Sequence, residues 1–196
     1  MKLEIIRSLF NSGFDHASSS LSRLTSRGVY YENEHNGFHS IENEIFAKLP
    51  PFRSEKDGVL IITRLGGDVI GSSYLLLSQT EFERLATHIY RTQRVTQDIK
   101  EEFVRELGNV LASDVAAVLA SSLNVKILCD SSVLINPFTG DMNEVINDHF
   151  SGSEGDIHIS SISFSARYQP DFMPQFIWTL DKETFYSAVE RQLVQG

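Results

Sequence analysis

The longest helical pattern in the chain runs through residues 96–123, TQDIKEEFVRELGNVLASDVAAVLASSL. At about 100° per residue, its large apolar side chains fall on one broad side of a helix, which predicts that this side is buried. Thr96 is placed to cap the first turn, and Asp98 lies near the positive end of the helix dipole. The apolar side consists of Ile99, Phe103, Val104, Leu107, Val110, Leu111, Val115 and Val118.

The other side of this helix is polar. Glu102, Glu106, Asn109 and Ser113 follow one another at steps of four, three and four residues. Their directions therefore cluster within roughly 60°, away from the apolar side. A carboxylate and a carboxamide one turn apart on such a face can act on something presented from outside. The same spacing also arises by chance on many solvated helices, so taken alone it does not identify a site.

A second helical pattern fills residues 1–25, where a bend or late start near Gly13 is an alternative because glycine and serine lower helix propensity. Its inward candidates are Leu3, Ile6, Phe10, Ala17, Leu21 and Leu24. Gly28 fits the end of this helix, and a strand begins at Val29. Asn36-Gly37 predicts a turn, and residues 41–49 predict a short helix that ends at Pro50-Pro51.

A hairpin follows in the first half. Residues 59–63 and 69–77 predict two antiparallel strands joined through Leu65-Gly66-Gly67-Asp68. Ser78 and Glu81 have the spacing of a capping box, which predicts that a helix starts there.

The second half repeats this order. After the long helix, residues 125–135 predict one strand, and residues 136–156 predict a polar loop with a short helix at 144–150. Residues 157–168 and 172–180 predict two more strands, and Asp181 is placed to cap a last helix.

Each half thus reads helix, strand, irregular segment, hairpin, helix, which predicts an internal duplication with repeats at about 1–92 and 95–196. Residues 11–21 align with residues 109–119 without a gap, so that Asn11 matches Asn109. The sequence predicts a single α+β domain of pseudo-twofold design. In it, an antiparallel sheet carries the two long helices packed side by side on one face.

Composition excludes several classes of protein. A length of 196 residues is enough to bury a core without disulfides or metal, and the lone Cys129 cannot form an internal disulfide. The net charge of −9 disfavours nucleic acid as a partner. No apolar run reaches the ~18 residues of a membrane span, and Glu4 and Arg7 interrupt what a signal peptide would need, so we expect a cytoplasmic protein.

A metal site is also disfavoured. His35 and His39 stand four apart among glutamates, but Asn36-Gly37 would break the helix that this spacing needs. We therefore expect no metal ligands in this chain.

The duplicated helix, the hairpin GDVIGSSYLLLS with its capped helix, and the phrase ELGNVLASDVAAVLASSL resemble the CheC/CheX family of chemotaxis phosphatases, which includes part of FliY. Family members carry an acidic or serine residue, a glutamate four later, an asparagine three later, and a proline beyond the helix. Glu102, Glu106 and Asn109 match the first three positions, and Ser132 stands at the place of the proline. The first copy of this frame reads Glu4, Ser8 and Asn11, so the resemblance implies one site and a degenerate first copy.

The resemblance implies a phosphatase whose substrate is a CheY-like response regulator phosphorylated on an aspartate. Such a regulator binds its own Mg²⁺, so no cofactor of this chain is expected. Asn109 would hold the hydrolytic water, since a carboxamide is neutral beside a phosphoryl group, and Glu106 would pair with a lysine of the regulator. Glu102 and Ser113 would line the partner-binding face.

The alternative is a non-catalytic binding module. Relatives also bind other chemotaxis proteins, such as the deamidase CheD, or belong to the flagellar switch. Whether the chain forms a homodimer is left open by the sequence.

Overall fold

The structure is a computed structural model that describes residues 2–40, 58–90, 95–150, 156–167 and 171–195. Within these ranges, the chain forms five helices and a seven-stranded sheet in which the strand pairings are antiparallel. In chain order the elements are α1 Lys2–Thr25, β1 Val29–Ser40, β2 Gly58–Gly67, β3 Gly71–Ser78, α2 Gln79–Tyr90, α3 Gln97–Leu123, β4 Ile127–Cys129, β5 Val133–Phe138, α4 Met142–Phe150, β6 Asp156–Ala166, β7 Gln175–Asp181 and α5 Lys182–Gln195.

The strand order is β1-β6-β7-β3-β2-β4, and β5 also pairs with β2. Exchanging β1 with β4, β2 with β6 and β3 with β7 reverses this order, so the two halves of the chain occupy equivalent places in the sheet. The predicted α+β class with an antiparallel sheet is confirmed. That the two halves arose by duplication stays a prediction.

The two long helices, α1 and α3, pack side by side on one face of the sheet, as predicted. Gly13 lies at their contact, because a Cβ there would be 2.9 Å from Cγ1 of Val115. Helix α1 is continuous through Gly13, without the bend or late start considered for it. Because glycine has no side chain, the two helices can approach closely at this residue. The core beneath includes Phe10, Leu111 and the fully buried Trp178.

The opposite face of the sheet is covered by α4. Met142, Ile146 and Phe150 pack there against apolar side chains of the central strands. The predicted short helix is confirmed but begins earlier, at Met142, and β5 continues to Phe138, so less of residues 136–150 is loop than predicted. The rest of the predicted loop, residues 151–155, lies outside the described residues. The sheet thus lies between two helical layers, with the long helices on one side.

Gly71 lies at the pairing of β3 with β7, and we expect Gly71→Ala to destabilise the fold. A Cβ at this position would lie 2.2 Å from the backbone oxygen of Thr179 and 3.1 Å from the Cα of Leu180, so backbone would have to move. Overpacking of this kind costs about 1–3 kcal/mol. Urea unfolding of the variant checks the prediction, with Gly66→Ala as the matched control because a Cβ at Gly66 meets nothing within 4 Å. Equal stability of the two variants would contradict it.

His149, on α4, links this layer to the sheet. The Tyr74 hydroxyl and Nδ1 of His149 form a hydrogen bond of 2.9 Å, and the two rings stack. Burial lowers the pKa of His149, and the charge of Arg64 lowers it further. The unfolded chain therefore takes up this proton at a higher pH than the folded protein does.

We expect the contribution of His149 to stability to be complete above about pH 6.5, the ordinary pKa of histidine, and to be lost as the pH falls below it. The measurement is the free energy of unfolding of the wild type and of His149→Gln between pH 5 and pH 8. The variant should lose less stability on acidification. Part of the dependence of the unfolding free energy on pH should remain in the variant, because burial also lowers the pKa of His35. Identical slopes would contradict the prediction.

Several boundaries differ from those predicted. The turn at Asn36-Gly37 is wrong, since both residues continue β1 and pair with Ser160 and Ile159 of β6. The single strand over residues 125–135 is wrong, because residues 130–132 separate β4 from β5. The helix predicted over residues 41–49 lies outside the described residues.

Helix ends account for the other differences. Thr96 is the N-cap of α3 with extended backbone, but its side chain makes no capping hydrogen bond. Leu3, Leu24 and Ile99, predicted to face inward, are exposed, because each lies in the first or last turn of its helix. Two other caps are confirmed. Ser78 and Glu81 exchange backbone-to-side-chain hydrogen bonds of 2.7 and 3.1 Å, and the backbone N–H of Thr184 donates to Asp181 at 2.8 Å.

Candidate functional site

The polar side of α3 brings Glu106 and Asn109 into contact. The Glu106 side chain is exposed, and that of Asn109 is half-buried one turn later. Nδ2 of Asn109 donates to Oε2 of Glu106 at 3.2 Å. The two residues that the sequence singled out therefore form a hydrogen-bonded carboxylate and carboxamide pair on an exposed helical face.

Gly108 sets how close this pair lies to the sheet. A Cβ at Gly108 would fall 2.4 Å from Cγ2 of the buried Ile61 on β2, so only a glycine lets α3 approach β2 this closely. The next residue, Asn109, is thereby held against the sheet where β4 ends and β5 begins. Its side chain has one end in the protein and the other toward solvent.

Ser132 occupies this break between β4 and β5. Because residues 130–132 leave the strand ladder, the Ser132 N–H is free to donate, and it does so to Oδ1 of Asn109 at 2.9 Å. The Ser132 hydroxyl donates to the same oxygen at 2.6 Å, and Oγ1 of Thr63 lies 2.5 Å from that hydroxyl. Ser132 is 4% exposed and Thr63 is 1% exposed. Sequence reasoning marked Ser132 only as the position of a proline, and nothing in the sequence indicated its contact with Asn109.

Glu102 and Ser113 lie on the same side of α3 but engage other residues. Nη1 of Arg105 donates to Oε2 of Glu102 in an exposed ion pair. Burial raises the pKa of the Cys129 thiol, and a hydrogen bond with Ser113 opposes that rise. These two residues therefore flank the Glu106 and Asn109 pair, one toward each end of the helix.

The first copy of the frame is built differently. Glu4 and Ser8 are exposed on α1, and Ser8 offers no carboxylate to the amide of Asn11. Oδ1 of Asn11 is buried without a hydrogen-bond partner among the described residues. The Tyr31 hydroxyl lies 3.0 Å from Oδ1 of Asp15 and 3.2 Å from the backbone oxygen of Asn11, and burial raises the Tyr31 pKa to about 12. The amide of Asn11 therefore lacks both contacts that define the orientation of Asn109.

Among the residues that the structure describes, no three His, Cys, Asp or Glu side chains are grouped to hold a metal ion. His35 lies on β1, and the side chain of His39 is outside the described part. No helix in the described ranges combines the length and the apolar character needed to cross a membrane.

Comparison with known proteins shows the fold. No protein-family model and no curated protein sequence matches the chain. The structure is similar to FliY from Thermotoga maritima with a TM-score of 0.68 and 15% identity, covering 100% of this chain and 97% of that one. It is similar to the CheX-CheY-BeF3-Mg complex from Borrelia burgdorferi with a TM-score of 0.55 and 17% identity, covering 88% of this chain and 97% of that one. It also matches the FliM middle domain from H. pylori with a TM-score of 0.62 and 9% identity, covering 96% and 97%.

These similarities confirm the predicted resemblance at the level of fold. The chain has a CheC/CheX/FliY-like fold, which the FliM middle domain shares.

Proposed function

We propose that the chain is a cytoplasmic phosphatase that removes phosphate from the aspartate of a CheY-like response regulator. The observation that carries the proposal is the exposed, hydrogen-bonded pair of Glu106 and Asn109 on α3. Its support is the shared fold with a CheX that forms a complex with CheY, BeF3 and Mg²⁺.

The chemistry asks little of this chain. An aspartyl phosphate is already activated, and the regulator supplies Mg²⁺, so catalysis consists of placing one water in line with the phosphorus. The water oxygen forms the new bond to phosphorus, and the bond from phosphorus to the aspartate oxygen breaks. The aspartate leaves as a carboxylate, and both water protons stay on the released phosphate as H₂PO₄⁻. No nucleophile, metal or cofactor of this chain takes part.

Asn109 and Glu106 divide the work in this proposal. The carboxamide of Asn109 orients the water because it is neutral and can hydrogen-bond beside a phosphoryl group. Glu106 docks the partner by pairing with a lysine of the regulator's site, which also offsets repulsion between the glutamate and the phosphate. Glu102 and Ser113 extend the contact surface on either side of the pair. Glu4, Ser8 and Asn11 form a degenerate first copy without activity.

The test is turnover. The purified chain, at one tenth of the concentration of a Mg²⁺-loaded phosphorylated regulator, should release more phosphate than one equivalent per chain and faster than the regulator alone. The Glu106→Ala, Asn109→Ala double variant is the control and should not exceed the regulator alone. Equal release by the wild type and the double variant would refute the proposal.

A second candidate is a non-catalytic binding module for a chemotaxis or flagellar-switch protein, including a CheD-like partner. The similarity to the FliM middle domain favours it. Its signature would be a stable complex that survives Glu106→Ala and Asn109→Ala and shows no turnover. A homodimer is compatible with either function, and sedimentation of the purified chain distinguishes monomer from dimer.

A further inference from the structure

We propose that Ser132 is a positioning residue that fixes the carboxamide of Asn109 with its amino group outward, so that Asn109 acts on the phosphorylated partner as a hydrogen-bond donor. The inference about the reaction rests on the function proposed above. The inference about the orientation of the side chain rests on the geometry alone.

The contacts of Asn109 allow one orientation of the amide. The backbone N–H of Ser132 can only donate, so the atom that faces it at 2.9 Å must be the carbonyl oxygen. The carboxylate of Glu106 can only accept, so the atom that faces it at 3.2 Å must be the nitrogen. Turning the amide over would set donor against donor and acceptor against acceptor. The two neighbours therefore fix its orientation from opposite ends.

This orientation leaves only one part of Asn109 for the reaction. The carbonyl oxygen has two lone pairs, and the N–H and O–H of Ser132 occupy both. One hydrogen of Nδ2 goes to Glu106, and the other is unused among the described residues. A water or a phosphoryl oxygen that meets Asn109 must then accept a hydrogen bond from it.

Burial makes the contact stiff. The Ser132 hydroxyl gives its proton to Asn109, so the hydroxyl of Thr63 must donate to Ser132, which produces a chain of hydrogen bonds that ends on Asn109. Both hydroxyls are nearly inaccessible to water. Hydrogen bonds in such a buried environment are stronger and polarise one another. A proline in place of Ser132 would have neither an N–H nor a hydroxyl. This chain therefore orients its asparagine through donors that a proline cannot provide.

The first test needs no activity. The side-chain amide of Asn109 is assigned by NMR as the signal that disappears in Asn109→Ala, and its order parameter is measured in the wild type and in Ser132→Ala. Ser132→Ala keeps the backbone N–H contact and removes the hydroxyl donor, so we expect a rigid amide in the wild type and a lower order parameter in Ser132→Ala. The side-chain amide of Asn11 is the internal control and should not change. Equal rigidity of the Asn109 amide in both proteins would overturn the proposal.

Two further variants separate this role from a general loss of packing. Thr63→Val keeps both donors of Ser132 and should leave the Asn109 amide ordered. The Thr63→Val, Ser132→Ala pair removes both hydroxyls, so no buried hydroxyl is left unpaired, and should still lower the order parameter of the Asn109 amide as Ser132→Ala does. A lower order parameter in Thr63→Val alone, or an unchanged one in the double variant, would contradict the assignment to Ser132.

The second test is kinetic. Ser132→Ala should lower kcat by about 10- to 100-fold through misplacement of the carboxamide, with KM nearly unchanged. In the Asn109→Ala background, the same substitution should have no further effect, because Ser132 acts through Asn109. Equal losses in both backgrounds would overturn the positioning role. Absence of activity in the wild type would instead refute the proposed phosphatase, and the NMR comparison would still decide the orientation.

Discussion

Replacing Asn109 by alanine should lower the rate of phosphate release from a saturating phosphorylated regulator by roughly 10²- to 10³-fold, the usual loss when one preorganised hydrogen-bonding group is removed. Alanine removes the carboxamide and its donor, and it also removes the acceptor of the N–H and hydroxyl of the buried Ser132. Affinity for the regulator should change little, because the carboxamide serves the reacting water and not the docking contact. The measurement is kcat and KM in a continuous phosphate-release assay.

Asn11→Ala is the matched control, since it removes the same side chain from the corresponding helix of the first half. That variant should retain the wild-type rate, because Ser8 supplies no carboxylate beside Asn11. Comparable losses in the two variants would show that asparagine matters for packing of the long helices and not for chemistry. An unchanged rate in Asn109→Ala would remove the catalytic role.

Replacing Glu106 by alanine should mainly weaken the affinity for the regulator. Removing one member of a charge pair that docking buries costs about 2–5 kcal/mol, so the dissociation constant for the regulator should rise by roughly 30-fold or more. The wild-type affinity should also fall as salt is raised, because Glu106 is exposed in the free chain and salt screens its attraction to the lysine. Titration of the beryllofluoride-loaded regulator at two salt concentrations measures both effects. At saturation, the loss in kcat should be smaller than that in Asn109→Ala.

Glu102→Ala is the control for charge. It removes the same unit of charge one turn earlier, but Arg105 already pairs with that carboxylate, so the loss of affinity should be small. If Glu102→Ala weakens binding as much as Glu106→Ala does, the effect comes from the general negative charge of the surface. The lysine contact assigned to Glu106 would then be wrong.

Much of the architecture followed from local rules. The apolar period of α1 and α3, the capping box at Ser78 and the cap at Asp181 were sufficient to predict most helices and the hairpin of β2 and β3. Asn36-Gly37 was misleading because pairing with β6 overrides its turn preference, as tertiary context often does. The split of β4 from β5 could not be predicted, since it depends on what lies across from it on β2 and not on its own sequence.

Only the part of the candidate site that depends on local geometry was predicted. Glu106 and Asn109 lie one turn apart on one helix, so their contact is a local consequence of helical geometry. Ser132 is brought to Asn109 by the sheet, and Thr63 by a different strand, so no spacing in the sequence reports those hydrogen bonds. The residues that fix the orientation of the amide could be found only in three dimensions.

We propose that this face of α3 receives the phosphorylated aspartate. An NMR titration of the labelled chain with a beryllofluoride-activated, Mg²⁺-loaded CheY-like regulator tests this directly. We expect the largest signal changes around Glu106, Asn109 and Ser132, and much smaller changes on the face of α1 that carries Glu4, Ser8 and Asn11. Changes centred on any other surface, with the signals around Asn109 unmoved at saturation, would contradict it.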